Sequence, residues 1–399
     1  MYRTKALLSL AVILFIASAS IASNIIYVDA NGPNAPGSGT YEDPFRRIQD
    51  AIDIAADGNI VEIQPGLYTG PGNYNLDPNG KSITIRSVDP NAAANTIIDP
   101  NKAGRGFYFH SGEDANCIIS GLTVRNGYTN GSGGAIYCYN SSPTLSYCVI
   151  IDNAAVWGGG GIYCYYSDLS VSNSVIAGND TNTSGGGIKY SSCSNSRLIN
   201  CTISSNSANW YGDGIYSYGS NSMITNCIFW ANDTEEIYVD SSSPNVNYCD
   251  IQGGWPSGIG NINLDPCFAS FDPNGDPNLW DFHLKSVYGR WNQNSQIWVT
   301  DPNTSLCIDA GDPNSDWGSE PWPNGKRINM GAYGGTNQAS KNGNPADFNV
   351  DNSVNFADFA QMANQWLVEQ MCIEDLTNDG KVNFADISIF AENWLWEKK

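Results

Sequence analysis

Five consecutive segments of this chain begin and end alike: GGAIYCYNSSPTLSYCVIIDN, GGGIYCYYSDLSVSNSVIAGN, GGGIKYSSCSNSRLINCTISSN, GDGIYSYGSNSMITNCIFWAN and EEIYVDSSSPNVNYCDIQGG. Their entry isoleucines, Ile136, Ile162, Ile188, Ile215 and Ile237, are spaced by 26, 26, 27 and 22 residues. A second column holds Asn126, Asn153, Asn179, Asn206 and Asn232, and a third holds Gly121, Cys148, Ser174, Cys201, Cys227 and Cys249. Self-similarity at such a period marks a repeat architecture, in which each unit buries its apolar face only against its neighbours.

Each repeat contains short runs rich in β-branched residues and lacks the long amphipathic stretch that a helical repeat needs. One repeat therefore reads as one coil of a parallel β-solenoid, and equivalent residues should stack at the strand spacing of about 4.8 Å. On this reading the Asn column occupies turns that need a left-handed residue, and its amides form a ladder that meets buried backbone groups. The Cys/Ser/Gly column is small and points inward. Cys201, Cys227 and Cys249 form a row of three that cannot all pair, so free buried thiols are expected despite a count of 11 cysteines.

Upstream, DPFRRIQDAIDIAADG places Phe45, Ile48, Ala51, Ile52 and Ala55 on one helical face before Gly58. A helix there would cover the open sheet edge of the first coil. At the N-terminus, Arg3 and Lys5 precede an apolar run from Ala6 to Ala17, with small residues at Ala19 and Ala22. This spacing predicts a secretory signal peptide over residues 1–22, with a retained anchor as the alternative. A net charge of −21 argues against nucleic acid or an anionic membrane as partner, because both require a basic footprint. The two histidines, His110 and His283, are too few for a multi-histidine metal site.

The opening YVDANG and GSGTYEDPFRRIQDAIDIAADGNIVEIQPGLY, the GGGIYC coils and the closing CIDAGDPNSDWGSEPWPNGKRINMGAYGG resemble secreted right-handed parallel β-helix proteins of the pectin-lyase-like superfamily. More narrowly, they are similar to exported members found in planctomycete-type bacteria. The resemblance spans roughly residues 25 to 340 and concerns the fold. The fold class expected is thus mainly β, a right-handed parallel β-helix over 24–340 with an N-terminal capping helix.

After a linker at 341–346 the pattern changes. DFNVDNSVNFADFAQMANQWL from Asp347 and DLTNDGKVNFADISIFAENWL from Asp375 align 28 residues apart. Oxygen donors fall at loop positions 1, 3, 5, 9 and 12: Asp347, Asn349, Asp351, Asn355 and Asp358 in the first, and Asp375, Thr377, Asp379, Asn383 and Asp386 in the second. The seventh residues, Ser353 and Lys381, would offer carbonyls. Calcium takes six to eight such oxygens from a loop of this length. Helices should follow, with Phe359, Met362 and Trp366 on one stripe and Ile387, Phe390 and Trp394 on the other. The tandem resembles a type I dockerin, a small all-α calcium-binding module over 347–399. That resemblance implies two Ca2+ ions and a cohesin-like or cell-surface scaffold partner. Position 6 is Asn352 in one loop and Gly380 in the other, and positions 10 and 11 are Phe356-Ala357 and Phe384-Ala385. A metal-stabilised helix pair without a partner is the plainer alternative.

Polysaccharide lyases of the resembled fold use calcium-binding acids with an Arg or Lys base, and its hydrolases use clustered Asp. The central coils carry neither set, since Arg125, Lys189 and Arg197 fall in different columns. Asp213 and Glu235 stand at equivalent positions on adjacent coils and are the candidate catalytic carboxylates, or else two acids in a solvated turn. Glu236 and Asp240 could hold a surface cation.

The tyrosines are more regular. With the entry isoleucines inward, alternation turns outward one column of Tyr137, Tyr163, Lys189, Tyr216 and Tyr238, and another of Tyr139, Tyr165, Ser191, Tyr218 and Asp240. Trp157, Trp210, Tyr211 and Trp230 are expected to flank them. Tyr137, Tyr139, Tyr163, Tyr165, Tyr216, Tyr218 and Tyr238 form either a sugar-stacking platform or a plain tyrosine ladder. The functional expectation is a secreted, extracellular protein that acts on or binds polysaccharide and is tethered by its C-terminal module. If it is an enzyme, the class is polysaccharide lyase or glycoside hydrolase; the alternative is a non-catalytic adhesive or structural surface protein.

Overall fold

The computed structural model describes residues 24–366, 372–377 and 380–397. The expected leader and the expected ligand Asp379 lie outside the described residues. Short parallel strands stack into a nine-stranded sheet from Ile25–Val28 to Asn245–Asn247 and a six-stranded sheet from Phe107–Phe109 to Ile237–Asp240. An eight-stranded sheet runs from Gly66–Tyr68 to Asp250–Ile251, and a four-stranded one lines a corner from Tyr128–Thr129 to Ser207–Ala208. Chain order visits the sheets in turn, so every coil pairs with the coil before and after it.

The stacking register matches the sequence columns for the entry strands: Ile136 pairs with Ile162, Ile162 with Ile188, Ile188 with Ile215, and Ile215 with Ile237. These isoleucines are buried in one continuous core with Val171, Leu198 and Phe229. Repeated apolar stacking of this kind stabilises by burial of roughly 25 cal/mol for each Å² removed from water.

Two columns need a correction in the first coil. Val149 pairs with Thr123, which places Cys148 over Leu122 rather than over Gly121. The Asn ladder likewise begins at Asn153, whose Oδ1 accepts from Gly127 N at 2.8 Å; Asn126 stands one residue earlier. Nor do the ladder asparagines take the left-handed conformation. That conformation falls on the residue before each: Asp152, Gly178, Ser205 and Ala231, with Asn126 as their equivalent. The ladder residues are instead buried and fully engaged. Asn179 Nδ2 donates to Ile150 O at 3.0 Å and to Asn206 Oδ1 at 2.9 Å, and its Oδ1 accepts from Asn153 N and Nδ2.

The cysteine column is also a polar ladder. Cys227 Sγ accepts from Cys201 N and Cys249 Sγ from Cys227 N, both at 3.4 Å, as Ser174 Oγ accepts from Cys148 N at 3.0 Å. All the cysteines are free, and Cys267 and Cys372 are the two that are not fully buried. Burial pushes the Cys148 thiol up to about 11.

Helix α1, Ile48–Ile54, buries Ile48, Ala51 and Ile52 and packs against Ile25–Val28 and Ile60–Ile63. Phe45 and Ala55, expected on the same helical face, are buried but lie outside the helix, Phe45 in a bridge to Val28 and Ala55 as the extended C-cap. At the other end, stacked strands run to Asp250–Ile251, and the chain then turns back over the outside of the eight-stranded sheet. Ile151, Val175, Ala177 and Ile228 point outward from that sheet into a second core with Phe282 and Met330. Gly331 N donates to Asn226 O at 2.8 Å, and Asn173 Nδ2 to Gly334 O at 2.7 Å, seating the returning segment. Strands covered on both faces read as unbroken apolar runs, here VII and VIA.

A third core gathers Phe348, Val354, Met362, Val382 and Phe390 around helices α2, Phe356–Asn364, and α3, Phe384–Glu392. Among the described residues no helix is long and apolar enough to cross a membrane.

Candidate functional site

The six-stranded sheet presents the tyrosines. Register puts Tyr137 beside Tyr163, Tyr163 beside Lys189, Lys189 beside Tyr216 and Tyr216 beside Tyr238. Neighbouring rings are in contact: Tyr137 and Tyr163 are tilted at 35° with centroids 5.4 Å apart, and Tyr216 and Tyr238 stack 5.6 Å apart at 7°. In the second column Tyr139 and Tyr165 stack at 5.8 Å, Ser191 follows, and Tyr218 pairs with Asp240. Tyr139 and Tyr218 are exposed and the other five are part-buried, so one edge of the ladder is open to solvent.

Lys189 fills the rung between two rings. Its Nζ lies 5.8 Å from the Tyr163 centroid and 5.4 Å from that of Tyr216, a cation–π geometry. Burial lowers its pKa, and it makes no ion pair among the described residues. Gly158, at φ +106, leaves room for it: a Cβ there would stand 2.9 Å from Lys189 Nζ. The adjoining Trp157 is 60% exposed, as Trp210 is at 64%, in the loops that lead into the strands at Ile162 and Ile215. Tyr211 joins the tyrosine face by stacking on Tyr238 at 4.6 Å. Trp230 does not, because it packs into the second core under the returning segment.

The acidic candidates behave differently. Asp213 is buried, with Oδ1 accepting from Ala208 N at 2.7 Å. Its Oδ2 accepts from Thr234 N, Thr234 Oγ1 and Glu235 N at 2.8–2.9 Å. That carboxylate clamps two loops together. Glu235 accepts weakly from Gly212 N at 3.4 Å, and burial raises its pKa. Glu236 points inward, where it ends the Asn ladder by accepting from Asn232, and burial pushes it up to about 8. Asp240 faces outward and accepts from Tyr216 OH at 3.5 Å.

The two C-terminal loops share the hydrogen bonds of positions 1, 12 and the helix cap. At position 1, Asp347 Oδ2 accepts from Asn352 N at 2.9 Å and Asp375 Oδ2 from Gly380 N at 2.8 Å. Both donors are left-handed, Asn352 at φ 68 and Gly380 at φ 88, as position 6 of such a turn requires. At position 12, Asp358 takes Asn349 N and Asn355 N, and Asp386 takes Thr377 N and Asn383 N. Asn355 and Asn383 cap α2 and α3 in full capping boxes, so their side-chain oxygens already accept from Ala357 N and Ala385 N. Asp351 holds the Ser353 hydroxyl at 2.7 Å, and Lys381 O accepts from Asn383 Nδ2 at 3.4 Å. In the first loop, one oxygen each of Asp347, Asp351 and Asp358 fall within 4.8 Å of one another. Three hard carboxylate donors so close, beside Asn349, form a set that fits a calcium-sized cation.

Residues 73–209 and 105–266 match the family model for a right-handed β-helix region. The fold is a right-handed parallel β-helix. The crystal structure of pectate lyase Pel9A is similar with a TM-score of 0.42 at 17% identity, covering 81% of this chain and 98% of that one. A rhamnogalacturonan lyase structure gives a TM-score of 0.34 at 14% identity, covering 64% of this chain and 94% of the other. No curated protein matches.

Within the β-helix, the tyrosine column extends one coil further than the repeat suggested. Tyr108 pairs with Tyr137, and its ring lies 5.4 Å from that of Tyr137 and 4.3 Å from His110. Arg105 sits 5.6 Å and 5.3 Å from the Tyr108 and Tyr137 centroids. The stretch RGFYF carried this signal, an aromatic at the outward position of an entry strand, but it lacks the Gly-Gly-x-Ile lead that marks the later coils.

Proposed function

We propose that this is an exported β-helix protein that binds an extracellular acidic polysaccharide along its tyrosine face and is held in place through a calcium-dependent C-terminal module. The observation that carries the binding half is Lys189: an ammonium without a carboxylate partner among the described residues, between Tyr163 and Tyr216 in an aromatic column. Stacked rings suit sugar faces, and an unpaired cation among them suits a carboxylate or sulfate on the sugar. Arg105 supplies a second cation on the same face. The test is retardation of the full chain in gels carrying acidic or neutral polysaccharides. An acidic gel should slow the protein, and Tyr163→Ala with Tyr216→Ala should abolish the effect. Equal retardation by neutral glycans, or indifference to the double substitution, would refute this reading.

Binding without turnover is favoured over catalysis by Asp213, whose carboxylate is consumed by four hydrogen bonds and has no capacity left for acid–base work. Product release from the same polysaccharides, lost on Glu235→Ala, would reverse that preference.

For the tail, we take 24–340 as the β-helical unit, 341–346 as a linker and 347–399 as a dockerin-like module. Its separate core and its two matching loops support this division. Calcium would be held by Asp347, Asn349, Asp351 and Asp358 in the first loop and by Asp375, Thr377 and Asp386 in the second, together with the Ser353 and Lys381 carbonyls. Bound there, calcium would neutralise clustered carboxylates and lock each loop to its helix. Asn355 and Asn383 serve as helix caps and would act on the ion through water at most. A cohesin-like scaffold is the proposed partner, to be captured by the full chain with calcium and released by chelator. At the opposite end, α1 is proposed to cap the coil against edge-to-edge association.

A further inference from the structure

The stretch between the β-helix and the tail is strapped down along its length. Lys341 N donates to Gly289 O at 2.8 Å, and Lys341 O accepts from Ser286 Oγ at 2.6 Å. Asn342 N donates to Pro323 O at 2.9 Å, and Pro345 O accepts from Trp322 Nε1 at 2.8 Å. Asn344 reaches forward, its Nδ2 donating at 2.8 Å to Oδ1 of Asn393, the C-cap of α3. A chain held at this many points is not a slack spacer.

The tail itself is seated on the returning segment. Trp322 packs against the tail's core, and Tyr288 meets Trp396 edge-on at 6.4 Å. Lys326 reaches across, its Nζ donating to Phe348 O at 3.0 Å. Phe348 is the second residue of the first loop, next to Asp347, and its ring is buried in the tail's core. Around these contacts the seat is loosely packed. A cleft of about 260 Å³ lies among Asp309, Gly325, Asp347 and Asn352, and another of about 610 Å³ among Tyr288, Trp322, Lys341 and Leu376. Few direct contacts around large voids make a marginal junction, of the kind that opens and closes between domains.

We infer that calcium in the first loop governs how firmly the tail is clasped to the β-helix, so that filling the loop also steadies the returning segment. The inference rests on the calcium reading of that loop. Carboxylate oxygens of Asp347, Asp351 and Asp358 lie within 4.8 Å of one another. Like charges so close push the loop open unless a cation stands among them. Because Asp347 and Phe348 are adjacent, an opened loop draws away the carbonyl that Lys326 holds and loosens the Phe348 ring in its core. A bond donated by an ammonium is stronger than a neutral one, which makes Lys326 the main polar tie of the clasp. Loaded, the tail holds whatever it grips at a fixed attitude to the tyrosine face; emptied, it is a loose tether.

The test is hydrogen exchange of the full chain with calcium and with chelator, read in three stretches: 347–366 in the tail, 320–342 in the returning segment and 188–204 in the coils. With free calcium at about ten times its Kd, exchange should slow about tenfold in the first two stretches and stay unchanged in the third. Trp322→Phe with Lys326→Met removes both side-chain donors of the seat and keeps their apolar bulk. In that variant calcium should still protect 347–366 but no longer 320–342. Protection confined to the tail of the unaltered protein would overturn the clasp and leave the calcium reading intact, whereas protection of neither stretch would overturn both. Undiminished protection of 320–342 in the variant would overturn the roles given to Trp322 and Lys326. The comparison on the unaltered protein decides the matter even if the variant fails to fold.

Discussion

Glu236 ends the asparagine ladder by accepting from both the backbone N–H and the side-chain amide of Asn232. Where each earlier coil stacks another asparagine, the shortened last repeat supplies a carboxyl group, and burial raises it from 4.5 to about 8. Between those values the folded protein holds a proton that the unfolded chain has released. Stability therefore falls as pH rises from about 4.5 to about 8 and levels off above that. Glu320, also at about 8, and Asp250, at about 6, act in the same direction. Glu236→Gln should stabilise the protein by on the order of 1–3 kcal/mol at pH 8.5 and have little effect at pH 4.5. Urea midpoints at the two pH values measure this.

Inside the ladder, Asn179 donates to Ile150 O and Asn206 Oδ1 and accepts twice from Asn153. Asn179→Leu strands those partners in the core and should cost about 3 kcal/mol or more. An equal-sized loss on substituting exposed Asn130 would contradict this account, and chemical denaturation of both variants decides it.

Lys189→Gln should weaken acidic-polysaccharide binding about tenfold and flatten its salt dependence, since a buried cation–anion contact is lost. Because burial lowers the lysine pKa, binding by the unaltered protein should decline with rising pH before an ordinary lysine would discharge. Affinity measured across pH and ionic strength gives both curves.

Asp351 separates the metal reading from mere helix capping. It belongs to the carboxylate cluster but to neither capping box, whereas Asp358 belongs to both cluster and box. Asp351→Ala should remove most of the thermal stabilisation that calcium gives the first loop and leave the calcium-free melting of the full chain nearly unchanged. Asp358→Ala should lower both. Scanning calorimetry with calcium and with chelator distinguishes the two.

Native protein at pH 8 should react with a thiol reagent at Cys267 and Cys372, which are part-exposed, and resist at the nine buried cysteines, which the reagent cannot reach. Denaturant should release all 11. Fast native labelling of Cys148 or Cys193, both raised by burial, would contradict the packed column.

Much of this was legible in the residues themselves. A coil touches only the coils before and after it, so a repeat near 26 residues records its own stacking partners, and the tyrosine and isoleucine columns follow from that period with strand alternation. The doubled loops of the tail were legible as a 28-residue repeat, but Asn355 and Asn383, read there as calcium ligands, serve as helix caps. The one-residue slip in the first coil was not, because Gly121 and Gly127 carry no side chain to mark which column they occupy. Tertiary structure alone decided that Trp230 belongs under the returning segment, that Asp213 is spent on loop hydrogen bonds, and that Lys189 makes no ion pair among the described residues. It alone laid Phe282 and Met330 over Ile151 and Val175. The contacts of Phe282 and Met330 with Ile151 and Val175 join residues more than a hundred positions apart, where no local period or turn chemistry carries information and only the packing of finished surfaces selects the partner.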